Sequence, residues 1–357
     1  MEESLSFAPL LLVIFLAFLV PVTLSRFKHL RLPIVVGEIL AGILIGRSGL
    51  GWVNNHDPVL DLLAEFGFVF LMFLLGMEID FSSLSFSQPG ESDGKRPSWG
   101  PVQLGGGVFL LSFILSVVIG WEMFQANLES NPWMMALILS TTSLGVVLPV
   151  LKEKGLSSGQ YGQALLIAAL IADFATILLI TILVTVLSHG LTLEILLVGV
   201  LLVAFIFMYR FGLFFFTRIP GVRRVIEELN GATSQIKVRA AFTLMLTFVV
   251  LSELLGTELI LGAFLAGAMI SLLRTPEDIE LGHQLEAIGF GFFIPIFFII
   301  VGVDFNLAAL ASSPQALLLM PSLLAAAYLV KVVHELLLTM QFTWAETISA
   351  CALLSDG

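Results

Sequence analysis

The stretch QYGQALLIAALIADFATILLITILVTVLS, residues 160–188, carries one formal charge, and that charge, Asp173, stands near its middle. A helix needs roughly 20 apolar residues to cross a bilayer, so this segment is long enough to cross one with a carboxylate at half depth. Placing an aspartate there costs about 2.5–3.5 kcal/mol on insertion scales. A residue kept at that cost is a functional candidate by default. The remaining sequence therefore has to say what could occupy the carboxylate of Asp173.

The composition agrees with a membrane setting. Of 357 residues, 58% are hydrophobic and 12% charged, and the mean hydropathy is +1.04. Soluble domains carry about 25% charged residues. The expected fold class is all-α, a polytopic membrane protein, because a lipid-embedded backbone must satisfy its own hydrogen bonds. Apolar spans are expected at 5–25, 32–48, 59–79, 103–123, 132–151, 160–188, 192–216, 238–255, 258–273, 284–303 and 314–340, with a further apolar segment starting near Phe342. The net charge of −11 says little about partners, and no nucleic acid is expected. The single cysteine, Cys351, excludes an intramolecular disulfide and a cysteine metal cluster. The N-terminal MEESLSFAPLLLVIF lacks a basic leader, so the first span is expected to be retained.

Basic residues set the orientation. With the N-terminus outside, every Lys and Arg falls in an inside segment except Arg47, just past span two, and Lys331, inside span eleven. The outside loops hold Glu2, Glu3, Asp57, Glu122, Glu129, Glu253 and Glu258. A miscounted span would scramble this bias. A multi-pass protein of the bacterial plasma membrane is expected. The inside connection FSSLSFSQPGESDGKRPSWGPVQ (81–103) is a flexible loop by composition. Residues 217–237 read either as a cytoplasmic linker or as an interfacial helix whose basic side chains face anionic lipid. No soluble domain of useful size is visible within 1–357.

Span five, PWMMALILSTTSLGVVLPVLKEKG (132–155), is interrupted at mid-depth by Ser140, Thr141, Thr142, Ser143 and Gly145, and Pro149 follows. Glycine loosens a helical turn and proline removes a donor, so this helix can unwind at its centre. Freed carbonyls at membrane depth are tolerated where they line a cavity, and in secondary transporters they coordinate ions. The alternative is a continuous helix whose hydroxyls bond back to their own carbonyls. Asp173 then has an ion-holding role, or is a structural ion pair, or is a carboxyl kept neutral by burial. Thr176 shares its face, as a hydroxyl ligand or as packing. Lys331 either pairs with Asp173 or snorkels to an interface. Glu38 lines an inner funnel or bonds backbone at a kink. Asp304 is read as a helix terminator, and His29, His56, His189 and His283 as loop residues.

Five segments together resemble a known family: PIVVGEILAGILIGRSGLG (33–51), FGFVFLMFLLGMEIDF (66–81), STTSLGVVLPVLKEKGL (140–156), the Asp173 helix, and FFIPIFFIIVGVDFNL (292–307). In order and spacing they are similar to the monovalent cation:proton antiporter family, the Kef-type and sodium/hydrogen exchanger domain. The resemblance implies two inverted repeats, a dimerisation scaffold, a core with two crossing broken helices, and a homodimer working by elevator-like alternating access. It places Thr141 and Thr142 at the unwound centre of the first broken helix, with Ser143 beside them, and makes Asp173 the carrier of the ion and the proton. Lys331 matches the basic residue of a later core helix, and Lys331 and Glu38 are the expected ion-pair or pH-modulating groups. Many relatives carry a second polar residue before the aspartate. Here it is Ala172, which favours electroneutral one-for-one exchange. The chain ends at Gly357, before the expected second crossing helix, so a truncated domain is expected, and a cytoplasmic regulatory domain could follow.

No cofactor is expected, only transported Na+ or K+ and H+, with Asp173 as the monovalent-cation ligand. An intramembrane aspartyl protease needs two facing aspartates sharing a proton, and Asp173 has no evident second, so the chain is not expected to be an enzyme. The alternative function is a cation channel or ion-gated membrane sensor using the same site without coupled exchange.

Overall fold

The computed structural model describes residues 7–26, 32–53, 57–78, 101–126, 131–141, 144–153, 155–156, 160–189, 210, 234–254, 259–273, 279–312 and 314–338. Every regular element among them is helical. In order these are α1 (Ala8–Arg26), α2 (Ile34–Ile45), α3 (Pro58–Glu78), α4 (Pro101–Gln125), α5 (Pro132–Ser140), α6 (Leu144–Glu153) and α7 (Gln160–His189). There follow α8 (Ser234–Leu254), α9 (Leu259–Leu273), α10 (Ile279–Ile288), a π turn (Gly289–Phe293), α11 (Ile294–Asp304), α12 (Leu307–Ala311) and α13 (Pro314–Leu338). Among the described residues five helical stretches are long and apolar enough to cross a membrane. This is an all-α, multi-pass membrane fold.

The chain divides into two compact units. The first comprises residues 1–79 and 200–306, the second residues 80–199 and 307–357. Lys and Arg aside, the expected spans match the helices to within a few residues. Apart from residue 210, the segment 192–216 and most of 217–237 lie outside the described residues, although Ser234 to Lys237 open α8.

The first unit is built on glycine contacts. α2 and α11 cross where Gly42 meets the Ile299 carbonyl and Gly302, and Gly46 meets Val303. Both helices run the same way through this contact, as the second and tenth spans should. A methyl group added at Gly42 would overlap the Ile299 carbonyl oxygen. Gly76 and Gly267 bring the backbones of α3 and α9 together in the same manner. Without water to drive apolar surfaces together, membrane helices gain from such close backbone approach. Around the α2–α11 crossing Val13, Ile45, Leu60, Ile296, Ile299 and Val303 form a buried cluster.

The tenth span differs from its expected form. It begins at Ile279 rather than near 284, so His283 lies inside α10, and His189 is the last residue of α7 rather than a loop residue. The span is also interrupted: Ile294 N–H reaches the Gly289 carbonyl, one residue further back than in an α-helix. Pro295 follows directly. Its ring would collide with the carbonyl four residues back in a regular helix, and a π turn absorbs that conflict. At the far end, α11 stops at Asp304, as expected of a terminator. Arg47 donates to the Asp304 carbonyl, and the Ser48 hydroxyl to the Phe305 carbonyl. Arg47 thus has a structural reason to break the charge pattern, since a cation is favoured at a helix C-terminus.

The second unit packs α4 against α5 and α7, with α13 alongside α4 and α5. Gly105 of α4 sits on Ala168 of α7, and Gly120 sits on the Pro132 carbonyl of α5. Met123, Met135, Leu139 and Ala326 form a buried cluster joining α4, α5 and α13.

Candidate functional site

Span five is two helices. Asn131 caps α5 by accepting from the N–H groups of Trp133 and Met134, each at 3.1 Å, with Pro132 in the first turn. Such a cap fixes where the helix starts. The helix ends at Ser140, because Thr141 takes an extended conformation, φ −68° and ψ 149°. Its N–H still closes the last turn on the Leu137 carbonyl, at 3.2 Å. The chain resumes as α6 at Leu144. Thr142 and Ser143, two of the expected site residues, lie outside the described residues.

The break faces the helix that carries Asp173. The Thr141 hydroxyl donates to Asp173 Oδ1 at 3.1 Å. The Thr141 carbonyl, which closes no intrahelical bond in α5, accepts from Lys331 Nζ of α13 at 2.8 Å. Three elements therefore meet at one threonine: the broken end of α5, the carboxylate of α7 and the ammonium of α13. Thr176 is buried one turn beyond Asp173. Its hydroxyl donates to the Ala172 carbonyl at 2.6 Å, also lies 3.1 Å from the Asp173 carbonyl, and is 3.4 Å from the Thr141 hydroxyl. Ser140 is buried and bonds back to the Leu137 carbonyl at 3.0 Å.

The electrostatics follow from the break. A helix C-terminus carries a partial negative charge and an N-terminus a partial positive one, and the interruption places both inside the second unit. Lys331 compensates the negative end of α5. Thr141, Asp173 and Lys331 are half-buried, enough for their polar contacts to count for more than on a surface. The arrangement supplies hydroxyl, carboxylate and carbonyl oxygens, the hard donors that suit cations of low polarizability.

Glu38 belongs to the first unit. It is 4% exposed, in α2, one turn before the Gly42 crossing. Sequence reasoning did not single out Ser112 and Ser116 of α4, whose buried hydroxyls have no hydrogen-bond partner among the described residues. Their spacing, i and i+4 inside an otherwise apolar span, was the available signal.

Comparison with known proteins identifies the fold. The family model described as "Sodium/hydrogen exchanger, transmembrane" matches residues 14–357. The chain belongs to the sodium/hydrogen exchanger family. The chain is 39% identical over 330 residues to YjbQ of Bacillus subtilis (strain 168), covering 92% of this chain and 52% of that protein. It is 30% identical over 290 residues to the Na(+)/H(+) antiporter of Enterococcus hirae, covering 78% of this chain and 69% of the other. It is 31% identical over 297 residues to K(+) efflux antiporter 5 of Arabidopsis thaliana, covering 79% and 49%. This exchanger-family chain thus spans about half the length of its Bacillus subtilis relative. These relatives are named as antiporters.

Proposed function

We propose that this chain is the membrane domain of a secondary transporter that exchanges Na+ or K+ for H+ at Asp173. The observation that carries the proposal is the contact between the Thr141 hydroxyl, at a helix break, and the Asp173 carboxylate. A carboxylate withdrawn from water needs a positive partner, and a proton or an alkali ion can serve. Because one site takes either, the two ions displace each other and exchange is coupled. Thr141, with Thr142 and Ser143 next to it in the sequence, supplies oxygens that replace part of the ion's hydration shell. With Ala172 before the aspartate there is one carboxylate here, which supports one-for-one, electroneutral exchange.

Alternating access is proposed to occur by an elevator-like motion. Thr141, Asp173 and Lys331 all belong to the second unit, so the site can travel as one body. The first unit, with its glycine-tight crossings, then serves as scaffold and as the homodimer contact. Lys331 and Glu38 modulate pH dependence, and the protein lies in a bacterial plasma membrane with its N-terminus outside. The relatives named for Na+/H+ antiport and for K+ efflux support either cation.

The test is Asp173→Asn in the full-length protein, purified and placed in proteoliposomes. Cation-dependent proton flux is expected to vanish. Flux equal to wild type overturns the assignment. A wild-type current that reverses at the cation's Nernst potential with no proton movement replaces exchange by a channel.

A further inference from the structure

The inward face of α4 carries two hydroxyls that the site above does not use. Ser112 is 3% exposed and Ser116 0%, and neither hydroxyl has a partner among the described residues. Serine and threonine elsewhere in the described helices behave differently. Thr176 bonds back to Ala172, Ser140 to Leu137, Thr243 to Arg239 and Ser322 to Leu319. Back-bonding is the ordinary way for a helical hydroxyl to be satisfied. A buried hydroxyl that forgoes it costs about 1–3 kcal/mol, and the cost falls twice on one stripe of α4. The opposite stripe, Leu110, Ile114 and Val118, is exposed, as lipid-facing residues are.

Two independent counts place Ser112 at or near the depth of the site. α4 and α5 are antiparallel, with Met123 in the cluster of Met135 and Leu139. α7 returns from the end of α6 and so runs parallel to α4. Gly105 meets Ala168 and Ile171. At the same rise per residue on both helices, Asp173 is level with about residues 107–110 of α4. Gly120 meets Pro132 and Ala136. Counting the other way from there, Thr141 is level with about residues 111–115. Ser112 falls within the range level with Thr141 and just past that of Asp173, and Ser116 is one turn further along α4. Both share the helix face of Gly105, since seven and eleven residues return nearly to the same angle.

We propose that Ser112 and Ser116 are oxygen donors to the monovalent cation held at Asp173. Ser112 acts at the level of the break, and Ser116 takes the ion's retained water one turn away. The chemistry is that of a hard alkali cation, for which a neutral hydroxyl replaces a water oxygen without adding charge. This deepens the proposed exchange function and rests on it for the identity of the ion. It also accounts for why the hydroxyls are turned from their own backbone.

The experiment measures thermal stability of the detergent-purified, full-length protein with and without NaCl or KCl, at constant ionic strength. A bound ion raises the melting temperature by mass action. Wild type should show a saturable rise that Asp173→Asn abolishes. In Ser112→Ala the cation concentration giving half that rise should increase about three- to tenfold, the scale of one lost hydrogen bond. Ser116→Ala should show a smaller increase. Without the cation, Ser112→Ala should melt at or above the wild-type temperature, because an unsatisfied group has been removed. Ser112→Thr, which keeps the hydroxyl, should restore the wild-type cation dependence. A Ser112→Ala protein that folds and keeps the wild-type half-point overturns the proposal and leaves Asp173 as the ion site. A cation-dependent rise that survives Asp173→Asn overturns the exchange reading itself.

Discussion

Lys331 and Asp173 both bond to Thr141: Lys331 Nζ donates to the Thr141 carbonyl at 2.8 Å, and the Thr141 hydroxyl donates to Asp173 Oδ1 at 3.1 Å. The cation of α13 and the anion of α7 thereby hold opposite ends of the same peptide unit and side chain. Helix breaks in a membrane must have their loose polar groups taken up by protein or by a cavity. Here the carbonyl is taken by the lysine, and the hydroxyl is left to address the carboxylate.

Thr141→Val retains the shape of the side chain and its β-branch but removes the donor to Asp173. The break itself should persist, since it is the Thr141 carbonyl that Lys331 holds. Half-saturation of exchange by cation is expected to shift upward about three- to tenfold, measured as proton flux against cation concentration in proteoliposomes. A shift of less than twofold would remove Thr141 from the site.

Lys331→Ala leaves the broken end of α5 without its donor. Hydrogen bonds to charged groups contribute about 1.5–3 kcal/mol; half-burial puts the expected loss toward the lower value. A lower melting temperature and a displaced pH profile of exchange are expected together. Lys331→Arg should recover much of the stability, because a guanidinium also donates to a carbonyl. An alanine variant with wild-type melting and wild-type pH profile would show that the contact is incidental.

Gly42→Val places branched carbon where the Ile299 carbonyl and Gly302 already are. Overpacking of this kind costs about 1–3 kcal/mol, occasionally more, and here the obstacle is backbone. The variant should aggregate or melt early, as read by size-exclusion chromatography and thermal unfolding. Gly106→Ala on α4, which meets nothing within 4 Å, is the matched control. It should be neutral or stabilising by about 0.5–1 kcal/mol, the helix preference of alanine over glycine.

Arg47→Ala removes the cation that closes α11. The expected loss is about 0.3–1 kcal/mol for an exposed charge at a helix C-terminus, greatest at low salt. Adding Ser48→Ala should deepen it, because the two side chains hold consecutive carbonyls, those of Asp304 and Phe305. Thermal unfolding at two salt concentrations checks both the size and the screening.

Glu38→Gln removes a titrating group without changing side-chain volume. If Glu38 modulates pH dependence, the midpoint of the pH profile should move while cation affinity at a fixed plateau pH stays the same. An unchanged profile assigns Glu38 a packing role in the first unit.

The one-dimensional order of residues determined a good deal about this protein. Runs of about 20 apolar residues, separated by basic or acidic loops, locate the helices, because bilayer thickness and backbone hydrogen bonding leave no other spanning structure among helical chains. Asp173 stood out for the same reason: a lone charge in residues 160–188 is costly wherever that helix packs. The Ser140–Gly145 interruption pointed to the break, since local backbone preferences are read from residue type.

Other features were decided only by tertiary structure. The π turn before Pro295 was invisible, because a proline in a helix signals a conflict but not how the backbone absorbs it. Arg47 was an unexplained exception until the end of α11 was placed beside it. In the sequence Lys331 reads either as pairing with Asp173 or as snorkelling to an interface, and its bond to the Thr141 carbonyl depends on where α13 lies against α5. Ser112 and Ser116 were not singled out, because helical serines normally satisfy themselves locally. Periodicity and composition are properties of one helix; whose oxygen meets whose proton depends on how several helices pack, and that information lies between segments far apart in the chain.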